Sequence, residues 1–174
     1  MTSTMPLTKK AIAAAIVAHD GQYRKFSKLP YVVHPVEVES IVKQFKESHN
    51  IDNICAAAML HDTIEDAGYS YTQIFQEYGC MVAGLVMEVT TDKTACNVQG
   101  KTEYMNHKLA TISSYGCIIK LADMLANITD NPNEKTIARV RANHDFVLRN
   151  RKLTGAHRAL LGRIDTALKE LHNA

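Results

Sequence analysis

Four residues spread over ninety positions carry the chemistry of this chain: His34, the adjacent pair His61 and Asp62, and Asp123. Two imidazoles and two carboxylates form a mixed nitrogen and oxygen ligand set. Such a set suits one octahedral divalent cation and leaves positions for water and substrate. The donors are harder than thiolates, which favours manganese, iron or magnesium; zinc accepts the same donors. A bound cation of this kind activates water and polarises a phosphoryl oxygen, which is phosphohydrolase chemistry. Glu65 and Asp66 follow one turn after the pair. One of them could orient or deprotonate an attacking water while the other assists a leaving group.

Each member also has a plain structural reading. His61 and Asp62 end the run CAAAML, which reads as deeply buried, so they must be paired, hydrogen-bonded or ligated. In the segment 116–129, Ile118, Leu121, Ala122, Leu125 and Ile128 recur at helical spacing and should face a core. Lys120, Asp123 and Asn127 then share one polar stripe, which alone could be a solvated face. His34, just ahead of Pro35, means little by itself. The weight lies in the combination.

The elements that must position these residues read as helical. Helices are expected over about 8–20, 35–47, from 51 through the His-Asp pair, from Ser70 or Thr72 to 78, over 80–89, 102–113 and 116–129, and from 134 onward with a break at Gly155. Gly21, Gly68 and Gly79 mark turns. The stretch 90–101 is polar and reads as a loop. Only 31–33 and 86–89 look extended, which leaves room for a minor β-hairpin at most. The fold class is therefore all-α: a single helical bundle over 1–174.

Bulk properties exclude several classes. The chain has 174 residues, 46% apolar and 22% charged, with net charge +2. That charge is too small to argue for nucleic-acid binding. No stretch approaches a membrane span or a signal peptide. Cys55, Cys80, Cys96 and Cys117 form no metal-binding pair, which suits a reducing, cytoplasmic compartment without disulfides. A homo-oligomer is compatible with the sequence.

Four ordered stretches carry a family resemblance: residues 19–25 (HDGQYRK), 30–35 (PYVVHP), 57–66 (AAMLHDTIED) and 119–127 (IKLADMLAN). With them the chain resembles HD-domain phosphohydrolases. The nearer resemblance is to the hydrolase domain of RelA/SpoT-type proteins and to stand-alone small alarmone hydrolases, over roughly residues 8–150. It implies one manganese ion held by His34, His61, Asp62 and Asp123, with Glu65 and Asp66 positioning and activating the water. It also implies removal of pyrophosphate from the 3′ position of guanosine tetra- or pentaphosphate (ppGpp or pppGpp), giving GDP or GTP. Arg24 and Lys25 match the family's basic pair that meets base and phosphates, and Asn127 matches its position near sugar and phosphate. Lys93, Lys101 and Lys28 are further candidate phosphate contacts.

Two departures bear on substrate. Met124 and Ala126 stand where the family usually carries a basic residue and a His or Tyr, and Phe26 and Leu29 intrude in the loop after Lys25. Alternatives are therefore an HD phosphohydrolase acting on an adenosine alarmone, a mononucleotide or NADPH, or a nucleotide-binding module without turnover. No synthetase domain fits in the chain length, which implies a hydrolase that only degrades its signal.

Overall fold

The computed structural model describes residues 5–172. Among these residues ten helices account for the regular structure: α1 Leu7–Ala18, α2 Val33–Phe45, α3 Ile51–Leu60, α4 Thr63–Asp66, α5 Tyr71–Val89, α6 Lys93–Gln99, α7 Lys101–Thr111, α8 Ser114–Thr129, α9 Glu134–Asn150 and α10 Gly155–His172. No strand occurs among the described residues. A single antiparallel bridge between Tyr23 and Pro30 closes the loop after α1, and the minor hairpin allowed by 31–33 and 86–89 does not form.

α3 is the central helix, because every residue from Ile54 to Leu60 is buried. A helix apolar all round must be surrounded, and α1, α2, α5 and α8 pack about it. α8 is the second axis, in contact with α2, α5, α9 and α10. The all-α expectation holds: the two apolar helices are covered here by other helices.

Local departures from expectation have physical causes. α2 begins earlier than Pro35, so His34 lies inside its first turn, its N–H donating to the carbonyl of Tyr31 (2.9 Å). Pro35 is tolerated there because a first-turn N–H has no partner within the helix. Residues 31–33 are accordingly a turn and a helix start, not a strand, and 86–89 are helical. Residues 93–99, read as loop, form α6; the Asp92 side chain accepts from the N–H groups of Thr94 and Ala95 and caps it. As expected, Gly79 breaks the helical run: its φ of 83° and ψ of 172° are non-helical, in a region that favours glycine, so α5 is two helices joined across a kink. Ser70 and Gln73 form the capping box that starts α5.

α1 has no cap of its own. The carboxylate of Asp52, on α3, accepts from the N–H groups of Leu7 (2.8 Å) and Thr8 (3.0 Å) and from the Thr8 hydroxyl (2.6 Å). Burial raises the cost of its charge, but these hydrogen bonds prevail and hold its pKa below the ordinary value. We expect Asp52→Ala to lower stability by about 1–2 kcal/mol, as for other lost helix caps. The sign follows from the depressed pKa. The contribution is complete above the unfolded value of about 3.9 and is lost as pH falls through the lower folded value. Urea unfolding at neutral pH should separate the two proteins, and the difference should close in acid.

Candidate metal centre and the cleft beside it

The centre forms where α3 stops. Carbonyls at a helix C-terminus lack intrahelical partners. Here Ala58 O accepts from His61 Nδ1 (2.7 Å) and Leu60 O accepts from the Thr63 hydroxyl (2.7 Å). A carbonyl can only accept, so Nδ1 carries the proton, and Nε2 of His61 faces inward. The chain then turns through His61 and Asp62 into α4, a single turn that carries Glu65 and Asp66. The pair therefore sits at a corner between helices. This resolves the problem that adjacent residues on one helix diverge by about 100°.

His34 from α2 and Asp123 from α8 converge on this corner. His34 Nε2 lies 3.2 Å from Asp123 Oδ1 and 3.7 Å from Asp62 Oδ2. His61 Nε2 lies 3.0 Å from Asp62 Oδ2 and 3.9 Å from Asp123 Oδ1. The two imidazole rings are 5.2 Å apart, edge to face. All four expected metal ligands thus meet. Ligand atoms of His34, His61 and Asp123 fall within 4.8 Å of one another.

The residues fit a divalent cation. His61 Nε2 is buried and has no hydrogen-bond partner, although carboxylates surround it. Burial alone would push its pKa down, but Asp62 and Asp123 outweigh burial and raise it to about 9. Both carboxylates are held well below the usual range against burial, Asp62 chiefly by His61 and Asp123 chiefly by Lys120. A site this favourable to positive charge at an inward imidazole nitrogen is also favourable to a metal ion.

A surrounding layer orients the ligands. The Tyr31 hydroxyl donates to Asp62 Oδ2 (2.6 Å), and the His19 ring packs on Tyr31 with centroids 4.8 Å apart. Lys120 donates to Asp123 Oδ2 (2.7 Å). Asn127 donates to Asp123 Oδ1 (2.6 Å) and to its carbonyl (2.9 Å). Arg24 in turn donates to Asn127 Oδ1 (3.3 Å) and, through Nε, to Asp130 (2.7 Å). Of the expected substrate residues, Arg24 and Asn127 are therefore joined to the centre. Lys25 is not: it is exposed, with its ammonium 5.4 Å from the Phe26 ring. Lys28 is also exposed.

Beside the centre opens a cleft of about 400 Å³, walled by α6, α7, α8 and α9. Glu65, Lys93, Lys101, Lys120 and Arg139 place charge along it, and Tyr104, Met105, Met124 and Val140 form its apolar wall. Glu65 faces this cleft and accepts a hydrogen bond from the Thr91 N–H. Burial pushes its carboxyl pKa up. Asp66 turns away, exposed and paired with Lys93 at 3.5 Å. The structure also separates the two positions of the first departure. Met124 lines the cleft, whereas Ala126 is fully buried in the core.

Several residues of this site escaped the reading of the sequence. Tyr31, Thr91, Tyr104, Arg139 and Asn143 give no signal of spacing, because they reach the site from separate elements. Lys120 did give one: a lysine between Ile119 and Leu121 on an apolar helix, here 5% exposed.

A profile of the HD domain matches residues 11–145, and the chain belongs to the HD-domain family. Among its relatives is the guanosine-3′,5′-bis(diphosphate) 3′-pyrophosphohydrolase MESH1 of Xenopus tropicalis, 36% identical over 132 residues, which are 75% of this chain and 72% of that protein. The Homo sapiens MESH1 is 36% identical over 114 residues, 64% of this chain and 62% of that protein. The Haemophilus influenzae guanosine-3′,5′-bis(diphosphate) 3′-pyrophosphohydrolase is 35% identical over 116 residues; the match spans 64% of this chain and 16% of that larger protein. A solved structure of a metazoan SpoT orthologue that hydrolyses ppGpp superposes with a TM-score of 0.80 at 24% identity, covering 98% of both chains, and so shares the fold. No described helix is long and apolar enough to cross a membrane. All four cysteines are free.

Proposed function

We propose that this protein is a metal-dependent 3′-pyrophosphohydrolase of guanosine 3′,5′-bis(diphosphate), with manganese as its ion. The observation that carries the reading is the opening of the two-histidine, two-aspartate centre onto a cleft that holds a raised-pKa glutamate and four cationic side chains. Relatives named for this reaction support it.

His34, His61, Asp62 and Asp123 would hold the ion. The chemistry a divalent cation supplies there is acidification of water and polarisation of a phosphoryl oxygen. The remaining work falls to this chain's own groups. A 3′,5′-bis(diphosphate) is strongly anionic, and Lys93, Lys101, Lys120 and Arg139 answer that charge in a partly enclosed space where it counts more than in water. Lys120 also keeps Asp123 ionised and fixed. Glu65 accepts the proton of the water that attacks the phosphorus next to the 3′ oxygen. The bond from that phosphorus to the 3′ oxygen breaks, releasing pyrophosphate, and the proton taken up by Glu65 passes to the 3′ oxygen to leave a 3′ hydroxyl. Arg24, its flat guanidinium held by Asn127 and Asp130, can stack on a purine. Asp66, exposed and paired with Lys93, is assigned a supporting place beside Glu65.

One observation favours a second reading. Met124 puts an apolar side chain in the cleft where a basic one is usual, which suits another nucleotide such as the adenosine alarmone, a mononucleotide or NADPH. The test is chromatography of each nucleotide incubated with protein and manganese. Conversion of ppGpp to GDP and pyrophosphate, abolished by EDTA, is the expected result. Faster turnover of any other substrate would replace the guanosine assignment.

A further inference from the structure

The Glu65 carboxylate is not held by its own helix. α4 is one turn long, and an isolated turn of helix has little rigidity of its own. The contacts that fix Glu65 come instead from the non-helical segment 90–92, between α5 and α6. The Thr91 N–H donates to the Glu65 carboxylate, and just beyond, Lys93 donates to the Glu65 carbonyl (2.9 Å).

Thr91 is bracketed by two side chains of α7. On one side, Lys108 Nζ donates to the carbonyls of Glu88 (2.8 Å) and Thr90 (2.9 Å). On the other, the Asp92 N–H donates to the Tyr104 hydroxyl (2.8 Å). Tyr104 lines the cleft; Lys108 does not. Burial pushes the Lys108 pKa down, so its ammonium is kept half-buried at a cost in order to meet two main-chain carbonyls. α7 itself packs chiefly on α9 and α6, away from the end of α5. These two side chains therefore tie the Thr91 segment to a helix that the core holds through the fully buried Leu109.

We propose that Lys108 is a positioning residue for Glu65: by gripping the carbonyls of Glu88 and Thr90 it fixes the Thr91 N–H that orients the Glu65 carboxylate. Tyr104 completes the grip from the other side. The proposal rests on the catalytic reading of Glu65 given above. It differs from simple capping of α5, which would change stability without acting through Glu65.

The experiment is a double-mutant cycle on the manganese-loaded protein with ppGpp as substrate. Lys108→Met removes the three donors and keeps the length of the side chain. We expect kcat to fall about 10- to 100-fold, the loss typical of a reacting group displaced by about 1 Å. KM and the manganese dissociation constant from calorimetry should stay close to wild type. In a Glu65→Gln background the same substitution should cost nothing further, because the group it orients is already gone. Lys108→Arg, which can still donate to both carbonyls, should regain activity. Should Lys108→Met fail to fold, Tyr104→Phe, which loses only a hydroxyl, runs through the same cycle. An equal loss in both backgrounds, or wild-type kcat in a folded Lys108→Met protein, overturns the proposal. Wild-type turnover by Glu65→Gln alone is a separate result, and it overturns the role of Glu65 rather than the grip of Lys108.

Discussion

Asp62→Ala is expected to abolish turnover and to weaken manganese binding by more than about 100-fold, beyond the 10- to 100-fold typical of residues that merely support a ligand. The reason is an imbalance between the two carboxylates. Asp123 shares its charge with Lys120 at 2.7 Å and accepts from Asn127 at 2.6 Å. Asp62 has no cationic lysine or arginine against it, only the two imidazoles and the Tyr31 hydroxyl. In the metal-free chain Asp62 is balanced chiefly by the His61 imidazolium, whose proton leaves on binding, so Asp62 supplies most of the negative charge that an incoming cation meets. Asp62→Asn, which keeps the shape and removes the charge, should fail almost as badly. Binding should also release protons, because His61, raised to about 9 in the metal-free chain, must give up its proton to become a ligand. Manganese affinity should accordingly rise with pH through the neutral range. Calorimetry in buffers of different ionisation heat reads both quantities. Wild-type affinity in a folded Asp62→Ala protein would place the ion elsewhere.

The candidate metal centre was legible in the sequence through the combination of its four residues, not through any one of them. His61 and Asp62 end an apolar run, and Asp123 interrupts another. What could not be read was the corner itself. A helix continuing through His61 would place Asp62, Glu65 and Asp66 on one face. Instead the His61 and Thr63 side chains take up the last carbonyls of α3, and the chain turns. That turn separates the roles of the acidic neighbours, sending Glu65 to the cleft and Asp66 to solvent. The fold class followed from the apolar character of 54–60 and 116–129, whereas α6 was missed because its residues are polar and its cap, Asp92, lies in a stretch without periodicity. The far wall of the cleft was invisible for a different reason. Arg139 and Asn143 are ordinary polar residues of an amphipathic helix, and only the packing of α9 on α7 gives them a cavity to face.

Glu65→Gln should lower kcat by about 100- to 10,000-fold, the range for loss of a positioned general base, and should leave manganese affinity unchanged. The substitution keeps an oxygen to accept from the Thr91 N–H and removes only the basicity. The pH dependence follows from the raised pKa. Burial disfavours the carboxylate, so its proton is held to higher pH than in an ordinary glutamate at about 4.3. Activity needs the unprotonated form, so the acid limb of kcat/KM should fall at a pH above that value and should disappear in Glu65→Gln. Stability should move the opposite way. A carboxyl whose folded pKa is raised favours folding more when protonated, and its ionisation at neutral pH works against the fold. The neutral amide escapes that cost, so the metal-free Glu65→Gln protein should melt at a higher temperature than wild type at neutral pH. The gap should narrow as the pH drops through the raised pKa and wild type takes up its proton. An inactive protein more stable than its active parent is what a buried catalytic carboxylate requires, since the same burial that costs stability sets its basicity. A lower melting temperature in Glu65→Gln would mean that Glu65 mainly holds the 90–92 segment in place, and the general base would then have to be sought in Asp66.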